Sequence, residues 1–106
     1  MDLGLKDNVI VVTGGAKGIG EGITRLLAKE GAIPVIIGRN EKDNLALIKE
    51  IGTGFQVTAE LSSPDACKEA IDKVLLQFNK IDGVINNAGI NDGISLEHGN
   101  YQDFMQ

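Results

Sequence analysis

Glycine residues at a fixed spacing, between an apolar run and a helical pattern, are the strongest chemical signal in this sequence. The pattern T-G-x-x-x-G-x-G occupies residues 13–20. Because glycine has no side chain, backbone N–H groups can approach a ligand closely, and a helix N-terminus favours negative charge. We therefore expect this turn to bind an anion, the pyrophosphate of a dinucleotide.

The spacing also leaves a second interpretation open. It differs from the general dinucleotide fingerprint G-x-G-x-x-G. It lacks the Gly-Lys-Ser/Thr ending of a Walker phosphate loop, because Gly20 is followed by Glu21 and Gly22. A glycine-rich turn between a strand and a helix, with no ligand, would show the same residues.

Alternating strands and helices should position this turn. Apolar runs predict four strands over residues 9–13, 34–38, 55–61 and 81–87. Helical spacing predicts three helices over about residues 18–30, 41–51 and 64–78. Asn40 should cap the second helix, and Ser63 followed by Pro64 is a favourable start for the third. This order predicts an α/β fold, a Rossmann-type doubly wound parallel sheet truncated after its fourth strand.

Each helix should pack an apolar face on the sheet. In the first helix the expected face is Ile19, Ile23, Leu26 and Leu27. In the second helix it is Leu45, Ile48 and Ile51. In the third helix it is Cys67, Ala70, Ile71, Val74, Leu75 and Phe78.

One edge of the predicted sheet should collect the functional loops. Ligands of open parallel sheets bind beyond the carboxyl ends of the strands. Four loops should meet at this edge, over residues 13–20, 38–40, 60–62 and 86–89.

Composition and charge argue against other classes of protein. The 106 residues fit one domain, and a net charge of -5 without a basic stripe argues against nucleic acid as a partner. We also expect no membrane span and no signal peptide. The single Cys67 cannot form an internal disulfide, so we expect a cytoplasmic chain. We expect no metal site, because the sequence has no Cys/His cluster with the spacing of metal ligands.

Two motifs together carry a family resemblance. The segments T-G-G-A-K-G-I-G over residues 13–20 and N-N-A-G over residues 86–89 resemble those of a short-chain dehydrogenase/reductase, and the likeness covers essentially the whole chain. More narrowly, residues 2–3, 31–35 and 91–94 resemble bacterial L-fucose dehydrogenases. The resemblance implies hydride transfer between NAD(P) and an alcohol or sugar substrate, and a homo-oligomer that is a tetramer or dimer.

The resemblance also implies a set of cofactor-binding residues. On the glycine turn these are Gly14, Ala16, Lys17, Gly18, Ile19 and Gly20. After the second strand, NAD-specific members often carry aspartate, whereas this chain has Gly38 followed by Arg39. The Arg39 guanidinium, helped by Lys17, would pair with a 2′-phosphate and favour NADP as the cofactor, with NAD as the alternative. Solvated cations on an ordinary loop are the other interpretation.

Two later loops complete this predicted site. Glu60 and Leu61 stand where the family commonly has an aspartate and an apolar residue beside adenine, although glutamate is one methylene longer. The small Ala88 and Gly89 would let the cofactor lie close to the backbone. Asn87 is expected to tie neighbouring strands together rather than to bind ligand.

A catalytic pair is the part of the resemblance that the sequence lacks. Family members depend on Tyr-x-x-x-Lys beyond the fourth strand, whereas Tyr101 is followed four residues later by Met105. We therefore expect residues 1–106 to be the dinucleotide-binding part of one domain, with no catalytic residue and no activity alone. His98 is expected to be a solvated loop residue. A non-catalytic nucleotide-binding module or redox sensor, and a fragment without function, are the alternatives.

Overall fold

The computed structural model describes residues 4–87, in which four strands alternate with three helices. In chain order the elements are β1 (Val9–Thr13), α1 (Gly18–Lys29), β2 (Ile33–Gly38), α2 (Glu41–Ile51), β3 (Phe55–Thr58), α3 (Pro64–Phe78) and β4 (Gly83–Asn86). The predicted order is confirmed, but β3 and β4 are shorter than predicted. The predictions for Ala88, Gly89, His98 and Tyr101 lie outside the described residues.

The four strands form one parallel sheet in the order β3-β2-β1-β4. The chain moves from β1 outward through β2 to β3, and then returns across the sheet to place β4 on the other side of β1. The predicted α/β class, a doubly wound parallel sheet, is confirmed. Its strand order reverses between β1 and β4, where ligands of such folds commonly bind.

Side chains of the central strand β1 alternate between two apolar clusters. Val9 and Val11 pack with residues of α3, including Ile71 and Val74. Ile10 and Val12 face the opposite side, where α1 contributes Leu27. Helices therefore cover both faces of the sheet, and each aliphatic side chain that is fully buried contributes about 1.5–3 kcal/mol.

The predicted apolar face of α1 is wrong at two positions. Ile19 is 74% exposed and Leu26 is 55% exposed, whereas Gly20 and Thr24 are buried together with Leu27. The reason is close packing: α1 meets the turn after β1 through its small residues, and this rotates the two larger side chains toward solvent.

Smaller differences of the same kind occur in the other helices. In α2, Leu45 is exposed, and Asn44 is buried beside Leu47. In α3, Leu75 is exposed, while Ala70, Ile71 and Val74 are buried as expected. Periodicity identifies a face to within about one residue, and the contacts with the sheet decide its centre.

Helices α1 and α2 are joined by Arg25 across their outer surfaces. Its guanidinium lies 2.8 Å from Glu21 in α1 and 3.0 Å from Glu50 in α2. Hydrogen bonds, first with Glu50 and then with Glu21, raise the pKa of Arg25, and the hydrogen bond with Arg25 lowers the pKa of Glu50. These contacts join the middle of α1 to the last turn of α2.

Among residues 4–87, no helix has the length and apolar character needed to cross a membrane.

Candidate functional site

The turn between β1 and α1 requires glycine for two separate reasons. Gly14 and Gly18 adopt φ angles of 67° and 55°, in the left-handed region that favours glycine. Gly20 is needed for space, because a Cβ there would overlap the carbonyl group of Gly14. The first turn of α1 therefore packs directly on the backbone that leaves β1.

Thr24 holds this close packing in place. Its buried hydroxyl oxygen lies 2.8 Å from the carbonyl oxygen of Gly20 and 3.0 Å from that of Gly15. A Cβ at Gly15 would approach the same hydroxyl at 2.8 Å. No role for Thr24 is predicted from the sequence. Its position four residues after Gly20 is the one feature that could have indicated the hydrogen bond to the Gly20 carbonyl.

The N-terminus of α1 differs from those of the other two helices. The Asn40 side chain accepts a hydrogen bond from the backbone N–H of Asp43 at the start of α2, and Ser63 accepts one from Ala66 at the start of α3. These predicted caps are confirmed. At α1 the N-cap residue is Lys17, which makes no capping hydrogen bond through its side chain. The start of α1 therefore keeps backbone donors for an anion.

The carboxyl ends of β1 and β4 are tied beside this turn. The Thr13 hydroxyl donates to Oδ1 of Asn86 over 3.0 Å. The side-chain nitrogen Nδ2 of the next residue, Asn87, lies 2.9 Å from the point that a Cβ at Gly20 would occupy. The first and fourth predicted loops thus meet, as far as the chain is described. Asn87 stays a predicted strand-tying residue, and its amide closes one side of the glycine turn.

A cleft of about 170 Å³ opens between the glycine turn and the carboxyl end of β2. Its lining residues come from the turn, the loop after β2 and the first part of α2: Gly14, Ala16, Lys17, Gly38, Arg39, Asn40, Asp43 and Asn44. The cleft brings together four of the predicted cofactor-binding residues, which are Gly14, Ala16, Lys17 and Arg39.

Asn44 shapes the floor of this cleft. The side chain is 1% exposed, and its amide donates to the carbonyl oxygen of Gly38 and to Oε1 of Gln56 over 3.2 and 3.0 Å. A Cβ at Gly38 would lie 2.9 Å from Oδ1 of Asn44. A side chain at this last residue of β2 would therefore require Asn44 to shift. Sequence reasoning missed Asn44 because it searched α2 for apolar residues.

The three charged side chains that line the cleft, Lys17, Arg39 and Asp43, take part in two ion pairs, and the fourth member is Glu60. Lys17 Nζ lies 3.0 Å from Oδ2 of Asp43. Arg39 Nη1 lies 3.8 Å from Oε1 of Glu60, which brings the second and third predicted loops together. Both predicted cations thus have a carboxylate neighbour, and the net charge of the four groups is zero.

The remaining predicted residues are placed differently. Leu61 is partly buried and packs its side chain against the apolar cluster that includes residues of α3. The side chain of Ile19 extends into solvent beside the glycine turn. Cys67 is partly buried against the same cluster as Leu61. Within the described part of the chain, no group of three or more His, Cys, Asp or Glu residues could hold a metal ion.

These features fit a nucleotide with a diphosphate. The glycine turn and the start of α1 offer backbone donors without side chains in the way, and the cleft beside them carries two cations. The fit rests on the start of α1, which has no side-chain cap and adjoins the cleft that Lys17 and Arg39 line.

Known proteins share both the sequence and the fold. A family model described as short chain dehydrogenase matches residues 8–106. The chain is 39% identical over 94 residues to a 3-oxoacyl-acyl-carrier-protein reductase of Chlamydia pneumoniae, covering 85% of this chain and 38% of that protein. It is 43% identical over 91 residues to a 12alpha-hydroxysteroid dehydrogenase of a Clostridium species, covering 76% of this chain and 35% of that protein.

A solved structure agrees with these sequence relatives. The crystal structure of Cj0485 dehydrogenase has a TM-score of 0.74 and 36% sequence identity, covering 99% of this chain and 41% of that one. The chain thus spans about two fifths or less of the length of each relative named here. These relatives do not support the narrower likeness to L-fucose dehydrogenases in particular. Because the family model covers nearly all of the sequence and the fold agrees, the chain belongs to the short-chain dehydrogenase family.

Proposed function

We propose that this chain is the nucleotide-binding part of an NADP-preferring dehydrogenase that acts on an alcohol or sugar. The observation that carries the proposal is the cleft beside α1, where an N-terminus without a side-chain cap adjoins Lys17 and Arg39. Members of the family use NAD or NADP, and the bound nicotinamide supplies or accepts the hydride. The residues described here bind and orient the other end of that cofactor.

The glycine turn is the proposed pyrophosphate site. Backbone N–H groups of residues 18–20, at the positive end of the α1 dipole, bind phosphate oxygens. Gly14 and Ala16 give the adenosine ribose close access to the backbone, because neither has a side chain beyond Cβ. Ala88 and Gly89 are proposed to do the same for the part of the cofactor nearer the nicotinamide.

Arg39 is the proposed partner of the 2′-phosphate. Its guanidinium matches two phosphate oxygens in a bidentate arrangement, and at a distance of 3.8 Å it is held only loosely by Glu60. The aspartate that NAD-specific members often carry at position 38 would require the Asn44 side chain to shift, because a Cβ there lies 2.9 Å from its Oδ1. Both observations support NADP over NAD. The Glu60 carboxylate and the Leu61 backbone remain proposed adenine contacts.

The rest of the proposal follows from family membership. Two of the relatives named above carry an acyl-chain and a steroid substrate in their names, and the substrate class proposed for this protein is an alcohol or a sugar. We also infer a homo-oligomeric, cytoplasmic enzyme. Catalysis would require residues that this chain does not supply, so the chain alone is expected to bind cofactor without turnover.

A calorimetric titration of the chain with NADP+ and NAD+ tests this proposal. Arg39→Ala should weaken NADP+ binding by about 1–3 kcal/mol, the scale of a hydrogen bond to a charged group, and change NAD+ binding much less. Lys68→Ala is the matched control, because it removes an exposed cation from α3, away from the cleft. Equal losses for the two nucleotides would end the NADP assignment. Absence of binding to either nucleotide by the folded chain would end the nucleotide-binding assignment.

A further inference from the structure

The Lys17–Asp43 ion pair lies inside the cleft, and its two members differ in exposure. The Lys17 side chain is 76% exposed, whereas the Asp43 side chain is 34% exposed. Both residues line the cleft. Lys17 is therefore the more accessible member of the pair.

One oxygen of Asp43 is buried without an aligned donor. Among residues 4–87, no group donates a hydrogen bond of good geometry to Oδ2 of Asp43. Lys17 Nζ lies 3.0 Å from this oxygen, so its attraction is the charge of an ion pair rather than a directed bond. A buried carboxylate oxygen is costly without a compensating partner, and Lys17 is the group that compensates it here.

A 2′-phosphate in this cleft would change that balance. Lys17 has one ammonium group, and a phosphate that attracts it competes with Asp43. When Lys17 moves to the phosphate, the carboxylate is left in the cleft facing a ligand of its own sign. NAD carries a hydroxyl at the same position and meets neither effect.

We propose that Asp43 is a specificity-determining residue, which lowers the affinity for a 2′-phosphate by holding Lys17 and by adding negative charge to the cleft. This inference rests on the proposed nucleotide-binding function. The preference for NADP then depends on two opposing effects: Arg39 attracts the 2′-phosphate, and Asp43 disfavours it.

Glu60 opposes the phosphate less strongly than Asp43 does. Its separation from Arg39 is 3.8 Å, and both side chains are largely exposed. Solvent and salt screen such a pair, and its geometry allows Arg39 to leave at little cost. The first turn of α2, where Asp43 lies, is therefore the stronger determinant.

Asp43→Asn tests the inference, because it removes the charge and keeps the shape of the side chain. Kd values for NADP+ and NAD+ are measured by calorimetry at two salt concentrations. The variant should bind NADP+ about three to ten times more tightly at low salt and change NAD+ binding less than twofold. The gain should shrink at the higher salt concentration.

Asp72→Asn is the matched control. Asp72 forms an ion pair with Lys68 at 2.8 Å on α3, remote from the cleft, so the same change of charge should leave the ratio of the two Kd values unaltered. Thermal unfolding of both variants shows how much α2 depends on the negative charge in its first turn.

Three results separate the possible outcomes. A higher NADP+ to NAD+ affinity ratio in Asp43→Asn alone supports the role of Asp43. An unchanged ratio, with or without a lower melting temperature, overturns it while leaving nucleotide binding intact, because Asp43 then only stabilises α2. Absence of binding to both nucleotides in the folded wild-type chain overturns the proposed function, and the inference with it.

Discussion

The three helices of the described chain follow β-strands at the same edge of the sheet, but they begin in two different ways. At α2 and α3 a polar side chain, Asn40 or Ser63, accepts a backbone hydrogen bond of the first turn. At α1 the corresponding residue is Lys17, whose side chain makes no such bond. Side chains of the protein thus cap two of these helix starts, whereas the start of α1 has no side-chain cap.

The amino ends of β1 and β4, at the opposite edge of the sheet, provide a contrast to the start of α1. There the backbone N–H of Val9 donates to the carboxylate of Asp82 over 2.7 Å, and the N–H of Asp82 donates to the carbonyl oxygen of Val9 over 2.8 Å. Lys80 lies 3.0 Å from the same carboxylate. The backbone N–H groups of Val9 and Asp82 are thus paired within the chain, in contrast to the start of α1, which has no side-chain cap.

Replacing Gly20 by alanine should have the largest effect on stability and on nucleotide binding at the start of α1. The new Cβ would overlap the Gly14 carbonyl group, so we expect a loss of about 1–3 kcal/mol or more in the free energy of unfolding, and loss of nucleotide binding. Urea unfolding and calorimetry measure the two effects. Gly22→Ala is the matched control on α1. It meets no atom within 4 Å and should stabilise the helix by about 0.5–1 kcal/mol. Similar behaviour of the two variants would show that Gly20 is not spatially required.

Ser63→Ala should have a moderate effect on stability alone. It removes the side-chain cap of α3 and should lower the free energy of unfolding by about 0.5–2 kcal/mol. Nucleotide affinity should stay unchanged in the folded variant, because α3 packs on the other face of the sheet from α1. Ser62→Ala, at the preceding exposed position, serves as the control. If the two serine variants lose the same stability, the cap contributes nothing.

The smallest expected effect is on the pH dependence of stability, through Asp82 at the amino ends of β1 and β4. The hydrogen bond from the Val9 N–H, followed by that from Lys80, lowers the pKa of Asp82 below its ordinary value of 3.8. The stabilisation is therefore present above that ordinary value and is lost as the pH falls through the lower folded-state pKa. Unfolding free energies of wild type and Asp82→Asn should differ most near neutral pH and converge in acid. The exposed Glu69→Gln variant is the control, and a difference independent of pH would contradict the assignment.

Much of the architecture could be predicted from local patterns. The bounds of β1 are those expected, and the starts of α2 and α3 follow from Asn40 and Ser63. The alternation of strands and helices predicted a parallel doubly wound sheet, but it did not predict the order of the strands within that sheet. β3 ends at Thr58 and not at residue 61, and the Leu61 side chain packs against the apolar cluster that includes residues of α3.

The candidate site divides in the same way. The glycine turn and the two cations were found by spacing and resemblance, and the cleft brings them together. Thr24, Asn44 and Asp43 were missed, because polar residues on amphipathic helices are usually assigned to solvent. Their roles depend on contacts between elements distant in sequence, such as the hydrogen bond from Asn44 to Gln56.

The sequence by itself determined the periodic elements, the helix caps and the turn that only glycine can form, because these depend on neighbours within a few residues. Only the tertiary contacts place Asn44 against Gly38, Lys17 beside Asp43 and Arg39 beside Glu60. Those contacts exist because parallel strands bring their carboxyl ends to one edge, and no local pattern encodes which charges face each other there.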